Sequence, residues 1–427
     1  MLPVLMPSRT ATSFRDDLRG MIKKYASLWN ASSARIPILP ETFSREVQRD
    51  NERETSRLVA LMERELRLFP DSEPERAEWR DRQFSSLRRL GTSSFGFPDS
   101  HFDIIFSPEY FAATRDFARR ARAFDKGMEA ASLAQAMRNV WVMNTLQTLL
   151  GRAPSLSPSI FAYSMLYPFT DNHLDRPGRS QKSKKLACDR LGVRLSGWAI
   201  EPKDKHEAAV FRLVGLIEGE YPRAEFPEVY ESLLAIHAGQ VKSLQQQSEC
   251  APDDPDLLLI SIEKGGSSVL ADGWLVCARL SRDEADFCFG FGVMLQLLDD
   301  LQDLPDDCKA GHRTLFTRAT STEALDSLAN RLWHFLHRVL ESMECASDRS
   351  LDLRDLIRRN STMLLLRALA ENAGSYSPGY IDHMERFSPL GFDFLRSCRR
   401  SIEERYARVW PALARRRNLS SIFDLLG

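Results

Sequence analysis

The sequence predicts an all-α protein with about ten helices in its main domain. Apolar residues recur at the three- and four-residue spacing of helices along almost the whole chain. No segment alternates apolar and polar residues as a half-buried strand does, and no repeat of fixed length appears. Glycine and proline number 21 each in 427 residues, which is below average usage and favours long helices with few tight turns.

The N-terminal part contains one clear helix and ends in a loop. Residues 43–68 are highly charged and amphipathic, and Pro70 follows them in a loop signal. The segment 91–102, which contains glycine, serine and proline, predicts a second loop and a domain boundary. We therefore expect residues 1–100 to form a helical extension of unknown role and residues 101–427 to form the main domain.

The main domain is predicted to be a series of helices separated by short segments rich in proline, glycine and charge. One helix is unusual, because residues 287–298 are apolar on every side apart from Gln296. A helix without a polar face is typical of the centre of a large bundle. The expected helices span residues 108–150, 158–175, 180–199, 204–219, 226–248, 255–280, 282–304, 321–345, 350–374 and 390–415.

The composition excludes several classes of protein. Apolar residues make up 43% of the chain and charged residues 27%, which is typical of a globular protein and not of a disordered one. The 58 basic and 59 acidic residues nearly cancel, so we expect no nucleic-acid partner. No run of 18 apolar residues occurs, so no membrane-spanning segment is expected.

The N-terminus and the cysteines indicate a cytoplasmic protein. The apolar start of the chain is broken by Pro3 and Pro7 and lacks the basic region of a signal peptide. The seven cysteines are odd in number, and no two of them have CxxC spacing. We therefore expect them to be reduced.

Three carboxylates follow the apolar helix directly, at Asp299, Asp300 and Asp303. Asp299 and Asp303 are four residues apart and project from one face of a helix, where their charges repel unless a cation bridges them. A hard divalent cation with oxygen ligands, Mg²⁺ above all, suits such carboxylates. The alternative is a solvated helix end, because this spacing alone says little in a chain with 59 acidic residues.

A second acidic pair, Asp171 and Asp175, has the same spacing and also follows an apolar segment. The alternative interpretation is a helix start: Pro168 would end one helix, and Thr170 or Asp171 would cap the next. Two acidic helix ends that face each other across an apolar bundle would hold a diphosphate through a cluster of Mg²⁺ ions. The apolar channel below them would hold a hydrocarbon tail.

The residues around the later motif resemble a known family. Gly292, Gln296, Asp299, Asp300 and Asp303 fall in register with the second aspartate-rich motif of the trans-prenyl diphosphate synthases. Leucine replaces the phenylalanine that the family usually has before the glutamine. The resemblance covers roughly residues 130–415, about two thirds of the chain.

Other segments add to the resemblance. The segment 311–315 (GHRTL) is similar to a G-K-x-T-L segment of that family, and Lys264 lies near the place of its diphosphate-binding lysine at a helix break. The segment 171–176 (DNHLDR) looks like the first motif of the class IB, or large, terpene synthases of bacteria. The dipeptide Arg405-Tyr406 is similar to a diphosphate-binding pair of microbial terpene synthases; a surface arginine beside a packed tyrosine is the alternative.

The resemblance implies a class I isoprenoid-synthase-like helical bundle with an N-terminal helical extension. It implies a terpene synthase that ionises an allylic prenyl diphosphate with the help of three Mg²⁺ ions. By analogy it also implies a homodimer. The implied metal ligands are Asp171, Asp175, Asp299 and Asp303, with Asp300 close by. The implied diphosphate-binding cations are Lys264, Arg313 and Arg179. The implied substrate-binding residues are Gln296, Tyr167, Tyr163, Phe161, Phe291, Arg405 and Tyr406.

Several alternatives stay open at this stage. Lys264 is also compatible with a helix end ahead of two glycines, and the aromatic residues are compatible with plain core packing. A prenyltransferase that elongates an allylic diphosphate with isopentenyl diphosphate would use the same metal site. It needs a second basic pocket, and residues 140–170 carry almost no charge. A helical binding protein without catalysis is the alternative from another class.

Overall fold

A computed structural model describes residues 11–39, 41–174, 181–247, 256–345 and 347–417. Within these ranges the secondary structure is helical and contains no strand, which confirms the all-α prediction. Short 3-10 segments occur at Leu244–Gln247 and Ala373–Ser375. The α-helices are α1 (Ala11–Asn30), α2 (Arg45–Arg67), α3 (Glu73–Phe95), α4 (Asp99–Ile105), α5 (Pro108–Phe124), α6 (Ala130–Leu149), α7 (Pro158–Leu174), α8 (Gln181–Leu195), α9 (Lys205–Glu220), α10 (Pro227–Ser243), α11 (Leu257–Cys277), α12 (Arg282–Gln302), α13 (Leu304–Ala310), α14 (Thr322–Glu341), α15 (Asp348–Glu371), α16 (Pro378–Glu385) and α17 (Phe392–Arg417).

Two predicted segments differ from the structure. The helix expected over 108–150 is two helices, because Asp125 leaves the helical conformation and its side chain accepts a hydrogen bond from the Gly127 amide at 2.9 Å. The loop expected over 91–102 is mostly helical: α3 continues past Gly91 and ends where Gly96 has a φ of 67°. Gly91 serves packing instead, since a Cβ there would lie 2.1 Å from the Phe102 ring.

Helices α11 and α12 form an antiparallel pair at the centre of the fold. They cross most closely at Gly265 and Gly292. A Cβ on Gly292 would lie 2.1 Å from the Gly265 carbonyl oxygen, and a Cβ on Gly265 would lie 2.6 Å from the Gly292 carbonyl oxygen. Only glycine fits at this crossing, and the crossing fixes which residues of the two helices face each other.

The other helices surround this pair and bury it. Helices α6, α7 and α10 pack on α11, while α14 and α15 pack on α12. The predicted apolar helix is therefore central, and Phe287, Phe289, Val293 and Met294 are all buried in one core. This prediction is confirmed.

The helices of the predicted N-terminal extension pack in two different places. Helix α1 joins the main core, where Tyr25 and Trp29 are buried, and the Tyr25 hydroxyl donates to the Asp286 carbonyl oxygen at 2.9 Å. Helix α2 packs on α3 and α17, and α4 packs on α15. The boundary at residue 100 stays a prediction, but residues of α1 contribute to the same core as α12.

Two further properties concern the described residues only. No helix among them combines the length and apolar character that a membrane crossing requires. The six cysteines that they contain are all free thiols, and Cys250 lies outside the described residues.

Candidate active site

Asp300 is buried at the end of α12, and both of its carboxylate oxygens accept hydrogen bonds. Ser261 Oγ on α11 donates to Oδ2 at 2.7 Å, and Gln296 Nε2 donates to Oδ1 at 2.7 Å. Burial raises the pKa of Asp300, while these two bonds act in the opposite direction. Asp300 thus ties α11 to α12 and fixes the Gln296 amide, and its oxygens point into the protein.

Asp299 near the end of α12 and Asp303 directly after it are both exposed, and Asp307 continues the row on α13. The helical hydrogen bonds continue through them: Asp303 N donates to Asp299 O at 2.9 Å, and Asp307 N donates to Asp303 O at 2.8 Å. We call Asp299, Asp303 and Asp307 the carboxylate row. The spacing of four residues between neighbours brings their charges together.

The carboxylate row is electrostatically crowded. Surrounding protein atoms and the charge of Asp300 raise the pKa of Asp299, even though the residue reaches solvent. The pKa of Asp303 is raised to about 6, first by partial loss of water and then by the charges of Asp299 and Asp307. A bound cation would relieve this repulsion.

Two cationic side chains from other helices lie near the row. Lys264 on α11 lowers the pKa of both Asp299 and Asp300, and Arg138 on α6 lowers the pKa of Asp299 and Asp303. Sequence reasoning found Lys264 by its spacing and missed Arg138, because Arg138 belongs to no motif. Only the packing of α6 against α11 brings it to the site.

An apolar cavity adjoins the site between α7, α8, α10, α11 and α12. Its volume is about 110 Å³, and it is partly open to solvent. Lys264 and Gln296 form part of its wall, so one residue, Gln296, contacts both the cavity and Asp300. The other residues that line it are Tyr163, Leu166, Thr170, Cys188, Leu191, Leu195, Leu233, Ile236, His237, Gln240 and Ser268.

The predicted aromatic residues divide into two groups. Tyr163 lines the cavity, and its hydroxyl donates to the Ser268 carbonyl oxygen at 3.5 Å. Phe161 packs in the core with its ring centroid 5.7 Å from that of Phe117, and Phe291 stacks on Phe287 at 5.8 Å. Neither phenylalanine is among the residues that line this cavity.

Helix α11 continues without interruption through Lys264 and the two glycines after it. The single helix expected over 255–280 is therefore confirmed, and the alternative of a helix end at Lys264 is wrong. The physical reason is that Gly265 and Gly266 are needed for contact with α12: a Cβ on Gly266 would lie 2.4 Å from the Phe289 ring. A glycine pair indicates a helix end only where nothing packs against it.

Arg313 and the Arg405-Tyr406 pair make other contacts. The Arg313 guanidinium donates to the Gln245 carbonyl oxygen at 3.4 Å, which holds the chain after α13 on the 3-10 segment Leu244–Gln247. Arg405 donates to Glu63 Oε2 at 2.7 Å, between α17 and α2. Tyr406 stacks on Trp410 with ring centroids 5.3 Å apart. The contacts of Arg405 and Tyr406 are thus with α2 and α17, and neither contact is with α12.

The first acidic motif falls largely outside the described residues. Asp175 and Arg179 are not described, and Asp171 and Tyr167 are described only as residues of α7. Helix α7 continues through Pro168 and reaches Leu174, so it carries Asp171 directly after Thr170, which lines the cavity. The pairing of the two acidic motifs stays a prediction.

The donors of the carboxylate row suit Mg²⁺, because they are oxygens of crowded carboxylates. However, no group of three or more His, Cys, Asp or Glu residues among the described ones is arranged to hold a metal ion. Asp171 and Asp175 of the first acidic motif would supply further ligands, and waters or substrate phosphates would complete the shell. The metal is therefore a proposal that depends on Asp171 and Asp175.

Comparisons with known proteins show only low similarity. No family model matches the chain, and no curated protein matches it. Among solved structures, the chain is similar to a crystal structure of a geranylgeranyl pyrophosphate synthase, with 14% identity over 64% of this chain and 94% of that chain, and a TM-score of 0.30. A TM-score of this size does not establish a shared fold, so membership of the isoprenoid synthase family stays a prediction.

Proposed function

We propose that this protein is a Mg²⁺-dependent class I terpene synthase. It would ionise an allylic prenyl diphosphate, release pyrophosphate, and give a terpene hydrocarbon or alcohol. The observation that carries the proposal is the junction at Gln296 and Lys264. These two residues line an apolar cavity and also lie beside the carboxylates at the end of α12. A prenyl diphosphate has the same division into an apolar chain and a charged head.

The charged end of the site would bind the diphosphate. Asp299 and Asp303, together with Asp171 and Asp175, would hold Mg²⁺, which would neutralise charge on the leaving group. Lys264 would donate charge-assisted hydrogen bonds to diphosphate oxygens. Ser261 and Asp300 would keep the Gln296 amide in one orientation, since the carboxylate accepts from both side chains.

The apolar cavity would protect the carbocation that forms when the carbon–oxygen bond breaks. Leucine and isoleucine side chains from α7, α8 and α10 supply five of its thirteen lining residues and would exclude water, which would otherwise quench the cation. Tyr163 supplies the one phenol ring among the described residues that line this cavity. An aromatic ring attracts a cation through its π-face.

The proposal is tested by incubating the purified chain with Mg²⁺ and, separately, geranyl, farnesyl and geranylgeranyl diphosphate. Pyrophosphate release and extracted products are measured. We expect release from at least one substrate, and a loss of about a hundredfold or more in Asp299→Asn, since that variant loses stabilisation of the leaving group. Asp306→Asn is the matched control, because Asp306 is exposed and pairs with Lys309 at 3.0 Å. No release from any substrate would favour a non-catalytic binding protein.

A prenyltransferase is the second candidate, and Arg138 is the observation that favours it. This exposed arginine adds a cation on the α6 side of the carboxylates, which a second diphosphate would require. Labelled isopentenyl diphosphate separates the two functions. A terpene synthase leaves the label unincorporated, whereas a prenyltransferase yields a longer labelled diphosphate and releases pyrophosphate only when both substrates are present.

A further inference from the structure

His237 is a cavity residue that no sequence motif indicates. It lies on α10, on the face that also carries Leu233, Ile236 and Gln240, and all four residues line the apolar cavity. The neighbouring helix α8 makes room for the ring by having glycine opposite it. A Cβ on Gly192 would lie 2.9 Å from His237 Nε2.

The imidazole of His237 is neutral at pH 7. Burial lowers its pKa from the ordinary 6.5, and the charge of Asp189 and a hydrogen bond with the Cys188 backbone act in the opposite direction. Because that bond favours the protonated ring, the ring is its donor. A neutral imidazole has one N–H and one free lone pair, so donation to Cys188 leaves the second nitrogen able to accept a proton.

The other polar groups around the cavity are poor bases. Lys264 has an amine, Cys188 a thiol, Tyr163 a phenol hydroxyl, and Gln240 and Gln296 have amides, and none of these groups is an imidazole. Among the described residues that line this cavity, His237 is the one side chain with a neutral basic nitrogen. An apolar cavity built only to shelter a hydrocarbon does not need one.

We propose that His237 accepts the proton that ends the reaction, an inference that rests on the proposed function. A C–H bond next to the cationic carbon breaks, and its electron pair forms the C=C bond of the product. The proton moves to the free imidazole nitrogen. The ring later gives this proton to solvent as the product leaves, which burial favours because it destabilises the charged ring.

The proposal predicts which product forms. With the base present, the cation loses a proton and gives a hydrocarbon; without it, capture by water gives an alcohol. The readout is the ratio of hydrocarbon to alcohol for each pyrophosphate released. In His237→Gln, which keeps an N–H donor for Cys188 but lacks a basic nitrogen, we expect the ratio to fall by about tenfold or more.

Two controls separate proton transfer from packing. His334→Gln changes a histidine on α14 that contacts the Arg35 carbonyl oxygen at 3.1 Å, and it should leave the ratio unchanged. His237→Ala opens a space in the cavity wall that free imidazole can occupy. Added imidazole should raise the hydrocarbon share in His237→Ala and should have no such effect in His334→Ala.

The outcomes distinguish this inference from the proposed function. An unchanged ratio in folded His237→Gln, or an alcohol as the sole product of the unmodified protein, would overturn the role of His237 and leave the synthase activity standing. Absence of pyrophosphate release by the unmodified protein would overturn both. Circular dichroism melting shows that each variant is folded before its products are compared.

Discussion

Ser261→Ala tests whether Asp300 is held as a buried carboxylate. The substitution removes the hydroxyl that donates to Asp300 Oδ2 at 2.7 Å, in a place where Ser261 is 2% exposed and Asp300 is 7% exposed. No water can replace the lost donor without entering the core. An unsatisfied buried group typically costs about 1–3 kcal/mol, and more when it is charged, so we expect a loss of free energy of unfolding of at least about 2 kcal/mol at neutral pH.

The loss should depend on pH with a definite sign. The pKa of Asp300 is raised in the folded state, and the Ser261 bond opposes that rise, so the variant has a still higher folded pKa. A group whose pKa is higher in the folded state than in the unfolded state stabilises the fold at pH values below its unfolded-state pKa. This stabilisation is lost as the pH rises through the folded-state pKa. The difference in free energy of unfolding between the variant and the unmodified protein should therefore be largest at about pH 8 and smallest at about pH 4.

Urea unfolding at both pH values provides the measurement. Ser267→Ala is the matched control, because Ser267 lies on the same helix and is also 2% exposed. It should cost less than Ser261→Ala and should show no comparable pH dependence. Equal losses in the two variants at both pH values would refute the reasoning about Asp300.

Four further predictions test the helix crossing and the acidic motifs. Gly292→Ala should destabilise the fold by about 1–3 kcal/mol or more in thermal melts, because the new Cβ would meet the Gly265 backbone. Gly215→Ala is the control: a Cβ there would have no neighbouring atom within 4 Å, so this variant should be neutral or stabilising. Mg²⁺ with pyrophosphate should raise the melting temperature of the unmodified protein, and a double Asp299→Asn, Asp303→Asn variant should lose that shift while Asp306→Asn keeps it. In the metal-free protein, Asp303→Asn should become more stable than the unmodified chain as the pH rises through about 6, because Asp303 ionises there beside Asp299 and Asp307. An equal gain in stability at lower pH would argue against repulsion among these carboxylates. Asp171→Asn should lower turnover by about a hundredfold or more with the melting curve unchanged, and normal turnover at limiting Mg²⁺ would make Asp171 only a structural residue.

Features that lie within one helix could be predicted from the sequence. The apolar run over 287–298 indicates a central helix, and the four-residue spacing of Asp299 and Asp303 places them on one face. Both follow from the period of a single helix, which the sequence shows directly. The predicted helix ends were also close to the observed ones where proline or charged residues end an apolar pattern.

Features that need two or more helices could not be predicted. Arg138, Ser261 and His237 reach the site from α6, α11 and α10, and nothing in a sequence shows which helices are neighbours. The alternative of a helix end at the glycines after Lys264 was wrong for the same reason. Their function is to let α12 approach, and that partner is distant in the chain.

The crossing at Gly265 and Gly292 has a practical consequence for anyone who wishes to redesign the cavity. Side chains cannot be enlarged at the crossing, so α11 and α12 are unsuitable places to change the volume available to a substrate. The opposite walls offer more freedom, through Leu191 and Leu195 on α8 and Leu233 on α10. A library confined to these three positions would vary the shape of the cavity while leaving Lys264, Gln296 and Asp300 in their present positions.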